Sequence, residues 1–160
     1  MPVSQEQIRS YLTSLGDVFL QVANPGDGSP EIAWGDTFAY CRRRDGTIPK
    51  MPFVTIVTKD YNGFDEESQL NRGGLFRLNV ELGRQRFEET FGFSPDLCDG
   101  NRARFDFTAI NTFFPHPVYG KSSWACIINP DEDSLALVES HLTAAFRLAH
   151  SRIAIEPSNR

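Results

Sequence analysis

The sequence predicts an α+β fold: one antiparallel sheet with an N-terminal and a C-terminal helix packed on it. Three observations carry that prediction. A capped apolar repeat opens the chain, short aromatic and β-branched segments broken by Gly, Pro, Asn and Asp fill its middle, and a long amphipathic stretch closes it. At 160 residues the chain is expected to form a single domain over 1–155, with 156–160 as a frayed tail.

Each element has its own local reason. Ser4 and Gln7 form a capping box, and Ile8, Tyr11, Leu12 and Leu15 follow on one helical face until Gly16 ends it. "DVFLQVA" (17–23) reads as a strand and "NPGDGSP" (24–30) as a turn cluster. "EIAWGDTFAYC" (31–41) reads as one or two strands interrupted at Gly35-Asp36, and Asp45-Gly46 as a hairpin turn. "FVTIVT" (53–58) is aromatic and β-branched almost throughout, the plainest strand in the chain. The polar stretch 59–74 is long for a passive connection, and such loops tend to carry function.

"LFRLNVEL" (75–82) resumes as a strand, with Leu75, Arg77 and Asn79 on one face and Phe76, Leu78 and Val80 on the other. "GRQRFEETFG" (83–92) is a short helix capped by Gly92, and 93–105 is irregular. For 106–114 helix and strand both remain open, while "WACIIN" (124–129) is a further strand. The closing helix spans 131–150, acidic at its start, with Arg147 and His150 near its end and an apolar stripe through Leu135, Val138, Leu142, Ala145, Phe146 and Ala149.

Composition narrows the function classes. The chain is 40% hydrophobic and 23% charged, with 13 Phe available for a core. No window approaches the roughly 18 consecutive apolar residues of a membrane span. The N-terminus has no basic segment leading into an apolar run, so the cytoplasm is the expected compartment. Cys41, Cys98 and Cys126 are odd in number and far apart, which suggests neither a disulfide framework nor a cysteine metal site. A net charge of −5 argues against a nucleic-acid partner. The basic run Arg42-Arg43-Arg44 abuts the Asp45-Gly46 turn and reads as a solvated rim.

Candidate chemistry gathers at three places. In "PHPVYGKSSW" (115–124), Pro115 and Pro117 stiffen the backbone around His116, which prepositions an imidazole able to act as a general acid or base. The alternative is a turn-capping histidine packed by Tyr119 and Trp124. Lys59 and Asp60 follow the central strand at the rim of the sheet. Asp60 could orient His116, or it could bind turn amides near Asn62-Gly63. Arg77 and Asn79 project together from one strand, Arg77 either holding an anion or paired internally. Trp34 and Asp36, across Gly35, could line the same pocket. His116, His141 and His150 lack metal-ligand spacing, and His141 is expected to flank the core. There is no phosphate-binding glycine loop, G-x-S-x-G or H-E-x-x-H, so neither a metal nor a cofactor is expected.

The segments "EIAWGDTFAY", "MPFVTIVTKDYNGFDEESQLNRGGLFRLNVELGRQRFEETFG" and "PHPVYGKSSWACIINP" carry a likeness. Through them the chain resembles a family of small bacterial proteins classed only as a domain of unknown function, marked by WGDTF, TIVTKDY, FRLN and PHPVY…W. In outline it is similar to MmcQ/YjbR-like α+β proteins, a resemblance that implies a link with DNA. The family likeness implies no activity.

Two functions are expected on these grounds. One is a small-molecule binder whose pocket is walled by Trp34, Tyr119 and Trp124, with Arg77 and His116 as polar anchors. The other is a cofactor-independent lyase, isomerase or cyclase with His116 as general acid or base and Asp60 orienting it. A nucleic-acid or protein-interaction module ranks below both. Everything depends on Asp60, Arg77 and His116 reaching one hollow.

Overall fold

Local sequence decides how the chain enters and leaves the sheet in the computed structural model, which describes residues 1–156. The Ser4 hydroxyl accepts the Gln7 amide at 3.1 Å, and Gln7 Oε1 accepts the Ser4 amide at 2.8 Å. That reciprocal cap starts α1 (Gln5–Ser14), which buries Ile8 and Leu12. Strands β1 (Val18–Val22), β2 (Thr37–Cys41), β3 (Val54–Val57), β4 (Arg77–Glu81), β5 (Phe114–Pro115) and β6 (Trp124–Ile128) follow, with α2 (Arg84–Phe91) and α3 (Cys98–Asn101) between β4 and β5. The last element is α4 (Glu132–Ala154), opened by Asp131, whose carboxylate accepts the Asp133 amide at 2.8 Å.

The strands make one antiparallel sheet in the order β1-β2-β3-β4-β6-β5. This is the α+β architecture expected. Alternation sorts its two faces. Ala39, Val54, Ile56, Leu78, Val80, Ala125 and Ile127 face α1 and α4 and form the main core with Leu12, Phe87, Val138 and Leu142. The opposite face carries Phe38, Thr55, Val57, Arg77, Asn79, Trp124, Cys126 and Ile128. A second core covers one half of it, where Leu70, Phe114 and Cys126 pack with Phe105 and Phe107. The other half, over β2 and β3, is left open.

Four expectations need correction. Residues 31–36 are not strand: Glu31–Ala33 is a 3-10 turn, and Gly35 at φ +90° reverses the chain before β2. Leu75 lies outside β4, which begins at Arg77. Residues 106–113 are neither helix nor regular strand, because the Asp106 carboxylate takes the Thr108 amide at 2.9 Å and Asn111 sits at φ +57°. The closing helix runs past His150 to Ala154, where Ile153 extends the apolar stripe onto the core. The expected tail, 156–160, lies outside the described residues apart from Glu156, which pairs with Arg43 at 2.7 Å. Among the described residues no helix is long and apolar enough to cross a membrane.

Candidate functional site

Arg77 is the centre of the polar chemistry, and it is 0% exposed. Its Nε donates to Asn79 Oδ1 at 2.8 Å, and Nη1 donates to Asp65 Oδ1 and Ser68 Oγ, both at 3.0 Å. Its Nη2 donates to Asp65 Oδ2 at 2.5 Å and lies 3.0 Å from His116 Nε2. The two-pronged carboxylate contact is the geometry that makes a buried ion pair tolerable. An incoming anion would have to displace Asp65. Of the two sequence readings of Arg77, the geometry matches the internal pair.

His116 is held as firmly. Its amide donates to Trp124 O at 2.9 Å, and its carbonyl accepts the Gly120 amide at 2.9 Å. Nδ1 accepts the amides of Val118 and Tyr119, each at 3.0 Å. Asp65 Oδ2 lies 3.6 Å from Nε2. A proton on Nδ1 would face two amide protons; on Nε2 it faces one guanidinium proton and the Asp65 carboxylate. The ring is therefore the neutral Nε2–H tautomer. Burial, reinforced by the Arg77 charge and opposed by Asp65, pushes its pKa down to about 3. The one lone pair, on Nδ1, is covered by backbone amides, so the ring has no free site for a neutral-pH proton exchange.

The other predicted residues divide between separate tasks. Asp60 Oδ1 accepts the Leu70 amide at 2.8 Å, and the Asp60 amide donates to Asn71 Oδ1 at 3.1 Å. Asp60 thus braces the 59–74 loop, and the carboxylate facing His116 is Asp65. Asp36, fully buried, takes the Thr58 amide and hydroxyl at 2.9 Å and Lys59 Nζ at 3.0 Å on Oδ1. Its Oδ2 accepts the Tyr61 hydroxyl, whose pKa is raised by burial and by this carboxylate. Trp34 turns outward and donates its indole N–H to Ser29 O at 3.0 Å.

A pocket of about 350 Å³ lies on the open half of the sheet, above this polar knot. Phe38, Thr55, Val57, Asn79 and Trp124, on one face of the sheet, form its floor; Tyr61, Phe64, Asp65, His116 and Tyr119 line it as well, as do Ile32 and Met51. Of the predicted residues, Asn79, His116, Tyr119 and Trp124 meet here. Arg77 lies beneath, while Trp34, Asp36, Lys59 and Asp60 do not line the pocket. Phe38, Thr55, Phe64 and Asp65 were not singled out from sequence. The length of the 59–74 loop was the one signal pointing toward Phe64 and Asp65. Four rim side chains expose apolar surface to water: Ile32 47%, Met51 68%, Phe64 55% and Tyr119 44%. Phe64 and Tyr119 meet edge to face with centroids 5.9 Å apart. Among the described residues no group of three or more His, Cys, Asp or Glu is placed to hold a metal ion.

No curated protein and no solved structure matches the chain. A family profile does, over residues 3–157, which include every element and all of the pocket just described. On that match the chain belongs to DUF6194, a family of unknown function.

Proposed function

We propose that this domain binds a small organic molecule in the apolar pocket over β2, β3, β4 and β6. The observation that carries this reading is a cluster of solvent-exposed apolar side chains around a concave floor whose polar groups are held rigidly from below. Isolated exposed apolar residues need no explanation, but a ring of them around a hollow does. A guest covering about 150 Å² of that surface gains about 4 kcal/mol at ~25 cal/mol per Å², before the entropy of association is subtracted. The polar knot gives the pocket a preorganised wall, since Asp65 and Asn79 are braced by Arg77 and His116 by the Val118 and Tyr119 amides.

Other hollows support a ligand less well. A larger one, about 690 Å³ between the α1–β1 turn and α4, mixes Leu15, Phe146 and Ile153 with Asp17, Arg42, Arg44, Arg147 and His150, so charged groups share its lining with apolar ones. The enzyme reading needs an imidazole that trades protons near neutrality, and His116 has neither the open nitrogen nor the pKa. A nucleic-acid role finds little support in a net charge of −5, with Arg42 and Arg43 already paired to Asp17 and Glu156.

The test is binding of N-phenyl-1-naphthylamine, an uncharged dye that brightens in apolar surroundings. The native protein is expected to bind it saturably. Phe38→Glu, which places a charge on the floor, abolishes the signal, and Leu137→Glu on the outer side of α4 leaves it unchanged. Equal binding by all three proteins would sink the proposal.

A further inference from the structure

We infer that the ligand of this pocket is an uncharged, largely apolar molecule that presents a hydrogen-bond acceptor, such as a ketone, ester or amide carbonyl, to the floor at Trp124 and Thr55. The inference rests on the binding reading above and specifies its chemistry.

Charge is the first argument. Asp65 is the charged residue that lines the pocket, and both its oxygens are taken by Arg77. Arg77 is fully buried beneath it and turns its donors toward protein atoms. Lys59 Nζ is engaged by Asp36 and by the Trp34 carbonyl at 2.8 Å. A carboxylate or phosphate on the ligand would meet no open cation, would lose its water and would sit against Asp65. A cationic ligand would meet a carboxylate that Arg77 already neutralises.

Hydrogen-bonding capacity is the second argument, and it is one-sided. The acceptors of the floor are largely engaged: Asn79 Oδ1 takes Arg77 Nε at 2.8 Å and the Cys126 thiol at 3.0 Å, and Thr55 Oγ1 takes Asn79 Nδ2 at 2.9 Å on one of its two lone pairs. The donors are not. Trp124 lines the pocket, its indole N–H is bonded to no protein group among the described residues and stays open to water, and an indole can only donate. The Thr55 hydroxyl accepts from Asn79 and has no acceptor for its own proton. Tyr119, half out in solvent, can serve either way and does not discriminate. A floor with more spare donors than spare acceptors favours an acceptor on the guest. A site that leaves such groups unpaired rejects the analogue lacking it.

Four naphthalene congeners separate the possibilities: 2-ethylnaphthalene, 2-acetylnaphthalene, 2-naphthoate and trimethyl(2-naphthyl)ammonium. Each is titrated at pH 7 as a competitor of N-phenyl-1-naphthylamine on the full chain. The ketone is expected to displace the dye at a concentration at least about tenfold lower than the hydrocarbon or either ion. In Trp124→Phe, which keeps a ring and removes the N–H, the ketone is expected to weaken several-fold toward the hydrocarbon, whose affinity stays put. Tighter binding of the naphthoate or the ammonium overturns the inference while leaving a binding pocket in place, as does equal binding of ketone and hydrocarbon. Failure of the dye and all four congeners to bind overturns the pocket reading, and the inference with it. The native-protein series stands even where Trp124→Phe fails to fold.

Discussion

Lowering the pH tests the state of His116 in quantitative terms. The ring is neutral in the fold, with a pKa pushed to about 3 by burial and then by Arg77, against an ordinary value of 6.5 in the unfolded chain. Between those values the unfolded chain binds a proton that the folded chain refuses, so stability rises with pH and is lost as pH falls below 6.5. The slope is about 1.4 kcal/mol per pH unit for one such group, and the loss from pH 6.5 to pH 5 is about 2 kcal/mol. His141, held down to about 4 by burial and then by Arg86, steepens the native profile in the same direction. Urea unfolding of the native protein and of His116→Asn at pH 7.5, 6 and 5 isolates the first group. Asparagine can place Oδ1 where Nδ1 accepts the Val118 and Tyr119 amides, so the turn keeps its acceptor. The variant is less stable at pH 7.5, but its profile below pH 6.5 is shallower by about 1.4 kcal/mol per unit. Parallel profiles would mean that His116 is protonated in the fold, and the tautomer argument would fall.

Three further outcomes follow from the same geometry. Arg77→Met leaves Asp65 without its cation in a buried site and is expected to destabilise the domain by about 3–5 kcal/mol in urea titrations; a loss under 1 kcal/mol would refute the buried pair. Gly83→Ala would put a methyl 2.5 Å from Leu148 Cδ2 at a φ of +80°, and the end of that side chain must give way, so it should lower the melting temperature further than Gly28→Ala, where φ is +81° but no atom lies within 4 Å. Equal melting temperatures would contradict that packing. Cys41, Cys98 and Cys126 are all buried and their thiol pKa values are raised by burial, Cys126 to about 12. An aromatic disulfide reagent at pH 8 should label none rapidly in the native protein and all three in denaturant, and fast native labelling would count against the burial.

What could be read in the sequence was local or periodic. The Ser4–Gln7 cap, the alternation that puts Arg77 and Asn79 on one face, and the stripe of α4 all depend on neighbours a few residues apart. The partner of Arg77 was not legible. Asp65 sits in a loop without period, and only folding of that loop over β4 brings the two together. The same event leaves Asp60 bracing the loop. Phe38 escaped notice because "TFAYC" is apolar on both faces: Ala39 and Cys41 enter the core while Phe38 and Tyr40 face the other side. Residues 106–113 are set by side-chain bonds to backbone at Asp106 and Asn111, which leave no periodic trace.

The chain has two tryptophans, Trp124 on the pocket floor and Trp34 outside it with its indole bonded to Ser29. Their two indole N–H resonances, assigned with Trp34→Phe and followed while N-phenyl-1-naphthylamine is added to saturation, report where a guest sits. The Trp124 resonance is expected to shift with dye concentration while the Trp34 resonance holds its place. A shift of Trp34 alone, or of neither at saturation, would contradict a ligand pocket on this face of the sheet.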